Sequence, residues 1–310
     1  MQSALFFLNT LWLFTLSDIK TFVIPQTVFG IFSALAGPVM TTNPSPQLLP
    51  ILTRAVHVFL WTWLNTLIFV LANQSLPESV KEDFSNKPSR PIPSGRITAS
   101  QARQFLLFSI PTIVLLTLYL GASEETVALL ALDWMYNDLG GANENYIIRN
   151  LINGLAFVTY SLGATKVACG STFSLNSAGY QWLAIQGAII FSTLQVQDLK
   201  DQAGDLARGR STVPLVLGDT AARWTIAIPV MVWSAVCPTF WALNRWTLLA
   251  PLISGAAVVG RLFLRKSKQE DVLTWKIWSL WLLTLYALPL LKSSGAFEST
   301  SLKENFVFAL

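Results

Sequence analysis

The sequence predicts an all-α polytopic membrane protein, and three observations carry that prediction. Hydrophobic residues make up 53% of the 310-residue chain and charged residues 12%, where about 25% charge is usual for soluble domains. The apolar residues gather into nine runs, several near the ~20 residues that cross a bilayer as a helix. The basic residues are shared unevenly between the loops, as in a chain with a fixed orientation.

In chain order, residues 1–20 read as a retained interfacial segment. The apolar stretch 4–16 has neither a basic leader nor an obvious small-residue cleavage site. Span 1 covers about residues 21–39, after the charged Asp18-Ile19-Lys20, and span 2 about residues 55–72. A polar stretch fills residues 73–98. Span 3, about residues 99–120, opens on Thr98-Ala99-Ser100-Gln101, which has the form of a capping box. Span 4, about 126–139, is short and interrupted by Asp133. Spans 5 and 6 cover about 150–167 and 181–195, spans 7 and 8 about 224–243 and 246–264, and span 9 about 273–291. Residues 292–310 form a short tail, and one domain is expected over 1–310. Many of the 12 Trp residues sit at the ends of these runs, as in interfacial belts. Cys169 and Cys237 lie in or beside apolar runs and suggest no disulfide framework.

Nine spans put the N-terminus and the loops after spans 2, 4, 6 and 8 on one side. Sixteen of the 21 Lys and Arg fall there and five on the other side. The bias places the first side in the cytoplasm. The formal charge of +4 is therefore a topology signal and no argument for a nucleic-acid partner; the lipid bilayer is the expected surrounding, and no protein partner is indicated.

Two polar stretches share that side. After span 6 the chain reads Gln197-Asp198-Leu199-Lys200-Asp201-Gln202-Ala203-Gly204-Asp205. In a helix, Asp198, Asp201 and Asp205 stand at i, i+3 and i+7, on one face. Like charges on one face repel, and a divalent cation removes the penalty. Such hard oxygen ligands suit Mg²⁺, which binds a few carboxylates together with substrate phosphates. The loop after span 2 supplies Glu78, Glu82 and Asp83, then Lys87, Arg90 and Arg96 held among prolines. Asp83 and Lys87 form an i, i+4 pair if the helix reaches Lys87. Acids for a metal followed by fixed cations is what a diphosphate needs. The competing readings are a solvated helix end and a basic loop against anionic lipid.

At these residues the chain resembles the UbiA superfamily of intramembrane prenyltransferases. Asp83, Lys87-Pro88, Arg90-Pro91, Pro93 and Gly95 match the family's first motif in register, and Asp198, Asp201 and Asp205 match a three-aspartate form of its second. Tyr136 and Arg149 resemble the family's third polar loop, and Lys20 a basic residue before the first span. The resemblance implies nine transmembrane helices around a central apolar cavity with a cytosolic polar cap. It implies Mg²⁺ held by Asp83, Glu82, Asp198, Asp201 and Asp205. Lys87, Arg90, Arg149 and Asn73 would bind the diphosphate. The first motif departs from the family pattern: Ser79 and Ser75 stand four and eight positions before Asp83, and Asn73 is two places out of register. That pattern resembles a fungal branch of the superfamily that includes terpene cyclases. The expected location is the endoplasmic reticulum, with the active site facing the cytosol.

The expected activity is a Mg²⁺-dependent terpene cyclase that ionises farnesyl or geranylgeranyl diphosphate and closes the chain on itself. A transferase moving the prenyl group to an aromatic acceptor and an inactive scaffold subunit are the alternatives. A channel is disfavoured, because the spans show no obvious paired halves and the charges concentrate on one face. The single histidine, His57, falls at the far start of span 2 and reads as a packed or interfacial residue. Asp133 and Asn65 are intramembrane polar groups, which mark function by default, with helix-to-helix hydrogen bonding an equal explanation for Asn65. Aromatic rings, which stabilise cations by roughly 0.5–2 kcal/mol each, are abundant in the spans: Phe59, Trp61, Trp63, Phe105, Phe108, Trp134, Phe157, Tyr160, Trp182 and Phe191.

Overall fold

Apolar runs form helices here because a helix satisfies its own backbone hydrogen bonds without water. A computed structural model describes residues 2–170 and 172–295. Its elements are α1 (Gln2–Asp18), a π-helical turn (Ile19–Val23), α2 (Ile24–Leu35), α3 (Leu48–Thr53), α4 (Ala55–Gln74) and α5 (Pro77–Asn86). Then come α6 (Ala99–Leu120), α7 (Ser123–Tyr136), α8 (Gly141–Glu144), α9 (Tyr146–Cys169) and α10 (Ser177–Thr193). A 3₁₀ segment (Leu194–Lys200) leads to α11 (Gln202–Arg208), α12 (Val213–Leu217), α13 (Asp219–Phe240), α14 (Leu249–Leu264), α15 (Lys268–Tyr286) and α16 (Leu288–Ser293). Among the described residues there is no β-strand, only an isolated bridge between Thr41 and Leu175.

Among the described residues, six stretches are long and apolar enough to cross a membrane: Leu5–Leu35, Leu48–Gln74, Ala99–Leu120, Asp219–Phe240, Arg245–Leu264 and Lys268–Ser293. The expected spans 4, 5 and 6 correspond to α7, α9 and α10, which are not among them. At 1.5 Å per residue, the 14 residues of α7 and the 17 of α10 fall short of a ~30 Å hydrocarbon core. The 24-residue α9 is long enough but carries Arg149, Asn150, Asn153 and Lys166. At the N-terminus, α1 runs through the π-helical turn directly into α2, so the segment over 1–20 and span 1 form one continuous helical stretch. The tail over 292–310 lies, beyond residue 295, outside the described residues.

Helix α9 is the hub, packing against α2, α4, α7, α8 and α10. Small residues permit that close approach. A Cβ on Gly30 of α2 would come within 2.6 Å of the Ala164 backbone on α9, and one on Gly163 within 2.2 Å of the Trp61 ring on α4. Helix α14 packs between α13 and α15, where Trp281 Nε1 donates to Ser234 Oγ at 2.8 Å. The buried guanidinium of Arg223 on α13 locks this second group. It pairs with Asp219, with the buried Asp271 of α15, and with the Leu262 carbonyl of α14. The capping box at α6 forms: Thr98 Oγ1 accepts from the Gln101 amide at 3.1 Å and Gln101 Oε1 from the Thr98 amide at 2.9 Å.

Candidate active site

The two polar stretches meet at one end of the bundle. Pro77 starts α5 just after α4 ends, and α5 stops at Lys87, whose φ/ψ of −142°/60° is extended in φ, as expected for a residue before proline. Helix α5 packs directly on α11. The contact is close because Gly204 faces α5: a Cβ there would sit 1.8 Å from Asn86 Nδ2 and 2.9 Å from Glu82 Cγ. The acidic stretch is not one α-helix, so the condition for a single face of three aspartates is not met. Leu194–Lys200 is a 3₁₀ helix, in which residues three apart eclipse, and Asp201 starts α11. Asp198 and Asp201 still share a side, whereas Asp205 is supplied by the following helix.

Beneath this junction lies a cavity. Its mouth is lined by Glu82, Lys87 and Arg90 from the first stretch, by Asp198, Asp201, Asp205 and Arg210 from the second, and by Asn73 and Arg149. Of the nine site residues expected from the sequence, only Asp83 stays behind this wall. It accepts from Arg90 Nη1 at 2.8 Å through both carboxylate oxygens. The expected Asp83–Lys87 side-chain pair is absent: the helix ends at Lys87, whose amide bonds the Asp83 carbonyl, and Arg90 takes the carboxylate instead. Arg149 clasps Asp198 with Nη1 and Nη2 at 2.9 and 2.8 Å, both residues buried. Arg210 Nη1 reaches Asp205 Oδ1 at 3.1 Å and Glu82 Oε2 at 3.5 Å. Lys200 pairs with Asp201. Asn73 Nδ2 donates to Asn137 Oδ1 at 2.8 Å.

The departures of the first motif have a local account. Ser75 Oγ donates to the Ala72 carbonyl of its own helix, and Ser79 Oγ accepts from Arg208 Nη1 at 2.5 Å. Arg208 also pairs with Glu82 at 3.2 Å. Glu82 is thus the acid of this stretch that faces the cavity.

Burial shifts these groups. It raises the Asp205 carboxyl to about 6, with the Asp198 charge adding to the effect. Burial also raises Asp198, partly offset by Arg149. Burial alone would raise Asp201, but Lys200 and Lys87 outweigh it and hold that carboxyl below its ordinary value. Burial, with Arg90 and Lys200 close by, lowers Lys87 to about 8.

The donor set fits a hard cation on a structural observation: Asp205 Oδ2 is buried with no hydrogen-bond partner, and its neighbour Asp198 is a like charge. Among the described residues no three acidic, His or Cys side chains converge into a closed metal cage. A metal here would therefore draw its remaining ligands from the substrate or water, the habit of Mg²⁺. Arg90 Nε, Arg149 Nε and Asn153 Nδ2 are also buried without partners, so the cavity wall holds spare donors.

Below the mouth the cavity turns apolar and aromatic. Phe22, Phe69, Leu132, Phe157, Tyr160 and Trp275 line it. Phe22 stands edge-on to Phe157 at 4.8 Å and to Tyr160 at 4.7 Å. Of the rings singled out from the sequence, only Phe157 and Tyr160 face this space. Trp61 packs behind Tyr160, and Phe108, Trp134 and Phe191 are on the outside. His57 is exposed, Lys20 is exposed, and Asn65 donates to the Trp61 carbonyl of its own helix. Sequence reasoning missed Asp18, Asn153, Gln197 and Arg210 as lining residues. Asn153 was findable, four residues after Arg149 and so on the same helical face.

Residues 31–285 match the profile of the UbiA prenyltransferase family. The chain belongs to that family. Among its relatives, the fumagillin beta-trans-bergamotene synthase of Aspergillus fumigatus is 28% identical over 92% of both chains. The polyprenyl transferase eriF of Hericium erinaceus is 30% identical over 82% of this chain and 84% of that one. A solved UbiA homologue from Archaeoglobus fulgidus, bound to GPP and Mg²⁺, superposes with a TM-score of 0.61 over 86% of this chain and 96% of that one, at 13% identity. The UbiA resemblance and the fungal branch read from the sequence are thus borne out. Enzymes of this kind, terpene synthases and prenyltransferases, use prenyl diphosphates.

Proposed function

We propose that this protein is an intramembrane terpene cyclase that ionises a prenyl diphosphate of farnesyl or geranylgeranyl length, closes the resulting cation on itself and releases pyrophosphate. The observation that carries the reading is one continuous cavity with a charged mouth and an aromatic floor. The diphosphate sits at the mouth, where Lys87, Arg90, Arg149 and Arg210 donate to its oxygens. Asp198, Asp201 and Asp205, with Glu82 from the facing stretch, would hold Mg²⁺; the sequence-expected ligand Asp83 is turned away, with both its oxygens on Arg90. When bound, the metal neutralises charge on the diphosphate and favours its departure. As the C–O bond breaks, its electron pair leaves with the pyrophosphate, and the mouth cations stabilise the negative charge that develops. The allylic cation remains below, facing Phe22, Phe157 and Tyr160, and the apolar wall keeps water away.

In this reading residues 1–310 form one domain of nine helices, with α7, α9 and α10 crossing within the bundle where their polar faces are covered by neighbours. The mouth faces the cytosol, and the membrane is that of the endoplasmic reticulum.

The similarity to a polyprenyl transferase favours a second reading, in which an aromatic acceptor takes the cation. One experiment separates the two. Membranes holding the protein are incubated with Mg²⁺ and farnesyl or geranylgeranyl diphosphate, without acceptor, and the extract is analysed for hydrocarbons. A cyclic terpene supports the cyclase. Turnover only with an added phenol supports the transferase, and none under either condition points to a scaffold. Asp198→Ala and Asp201→Ala should each abolish turnover in a protein that still inserts; full activity in both would remove the acidic stretch from the mechanism.

A further inference from the structure

Asp133 is the one acidic lining residue that stands on the wall of this cavity within the aromatic part. It is 9% exposed, it lines the cavity, and its side chain forms no hydrogen bond or ion pair among the described residues. Asp18, half-buried, accepts from Ser17 Oγ, and the remaining acids of the site each have a cation: Asp83 has Arg90, Asp198 has Arg149, Asp201 has Lys200, and Asp205 and Glu82 share Arg210. An unpaired acid in an apolar wall is costly to keep, so its position calls for a use.

The topology fixes its depth. The C-terminal end of α7 is at the mouth, where Tyr136 lines the opening and Asn137 meets Asn73. Asp133 precedes Tyr136 by three residues, about 4.5 Å further in along the helix axis. From α9, Tyr160 lines the same cavity. The Tyr160 ring is held edge-on by Phe22 at 4.7 Å and by Trp61 at 5.8 Å. Asp133 thus stands beside the rings that face the hydrocarbon part of the substrate, away from the cations at the mouth.

We infer that the Asp133 carboxylate removes the proton that ends the reaction. This rests on the reading that the chain ionises a prenyl diphosphate. After cyclisation the cation must lose a proton from a carbon next to the charged centre. That C–H bond breaks, its electron pair becomes the C=C bond of the product, and the proton passes to Asp133 Oδ. Ionisation has already sent the C–O pair away with pyrophosphate, so the net change is loss of pyrophosphate and one proton. The rival base is the pyrophosphate itself, which the mouth cations hold.

The test measures terpene formed per pyrophosphate released, a ratio that does not depend on how much protein folds. With Mg²⁺ and farnesyl or geranylgeranyl diphosphate, Asp133→Asn should lower that ratio for the normal product by about tenfold or more, the scale of a lost general base. The balance should appear as alcohols from water capture or as isomeric alkenes. Asp133→Glu, which keeps a carboxylate one methylene further out, should give an altered mixture with less alcohol. An unchanged product ratio in Asp133→Asn overturns the assignment and leaves the proton to pyrophosphate. Loss of pyrophosphate release in both variants also overturns it, because the assigned step follows ionisation. Absence of any terpene from the wild-type protein overturns the functional reading first, and the assignment with it.

Discussion

Replacing Gly204 by alanine should separate activity from stability. The added Cβ would lie 2.8 Å from Asn86 Cγ, 2.9 Å from Glu82 Cγ and 1.8 Å from Asn86 Nδ2. Carbon atoms rest at about 3.5–4.0 Å, so the carbon contacts are short by roughly 0.6–1 Å. Asn86 can swing aside only by giving up its bond from Lys268. Glu82 is pinned by Arg208 and Arg210. The relief is for α11 to move off α5 by about 1 Å, carrying Asp205 away from Lys87 and Arg90, and a displacement of that size costs on the order of 10²-fold in rate. Alanine in place of glycine within a helix meanwhile favours folding by up to about 1 kcal/mol. The expected outcome is a large loss of pyrophosphate release with an unchanged or raised unfolding temperature in detergent. Adding Asn86→Ala should recover much of the rate. Wild-type turnover in the single variant, or a loss that merely follows the folded fraction, would refute the reasoning.

Other perturbations read other parts of the molecule. Arg149→Met leaves Asp198 buried without its cation and should destabilise the protein by about 3–5 kcal/mol; Asp198→Leu in the same chain should cost less than the sum of the two changes in a denaturation series, and strict additivity would sink the coupling. Lys87 is charged below about 8 and loses its proton above it, so the KM for the diphosphate should rise on the alkaline side of that value. Lys87→Arg, which stays charged, should flatten the rise, and a wild-type KM independent of pH up to 9.5 or so would remove Lys87 from diphosphate binding. Arg223→Met breaks a buried junction outside the cavity and should lower stability by about 3–5 kcal/mol, while the KM of the folded fraction holds.

The parts of the site that the sequence exposed are those where local chemistry dictates position. In Lys87-Pro88-Ser89-Arg90-Pro91 each proline limits the residue before it, so the cations have few places to go. The acids of Asp198-Leu199-Lys200-Asp201 are too many for an apolar chain to carry idly. What stayed hidden depends on partners remote in sequence. Nothing near Asp83 says that Arg90 rather than Lys87 will take its carboxylate; the end of α5 decides that. The helical face assumed for the three aspartates fails where the chain tightens to 3₁₀ geometry, a change with no periodic signature. Among the rings, Phe22 and Trp275 reach the cavity and Trp61 does not, because the packing of α2, α4 and α9 chooses between them. The number of crossing helices is blurred in the sequence for a related reason: α9 can carry Arg149, Asn150 and Asn153 because they lie on the side its neighbours and the cavity cover, while Leu151 and Leu155 face outward.

The ion pairs at the mouth have a thermodynamic consequence. Asp198, Asp201, Asp205 and Glu82 each already hold a base, so these charges come close to balancing. Beyond Lys87 and the spare nitrogens of Arg90, Arg149 and Asn153, a bare diphosphate would have to take Arg149 or Arg210 from Asp198 or Asp205 and strand a buried anion. A bare divalent ion would have to take the carboxylates and strand a buried cation. Arriving together, the two exchange partners with the resident pairs and strand nothing. Each ligand should therefore raise the affinity for the other by the same factor, and the protein should behave as a receptor for the metal–diphosphate complex, with weak affinity for either half.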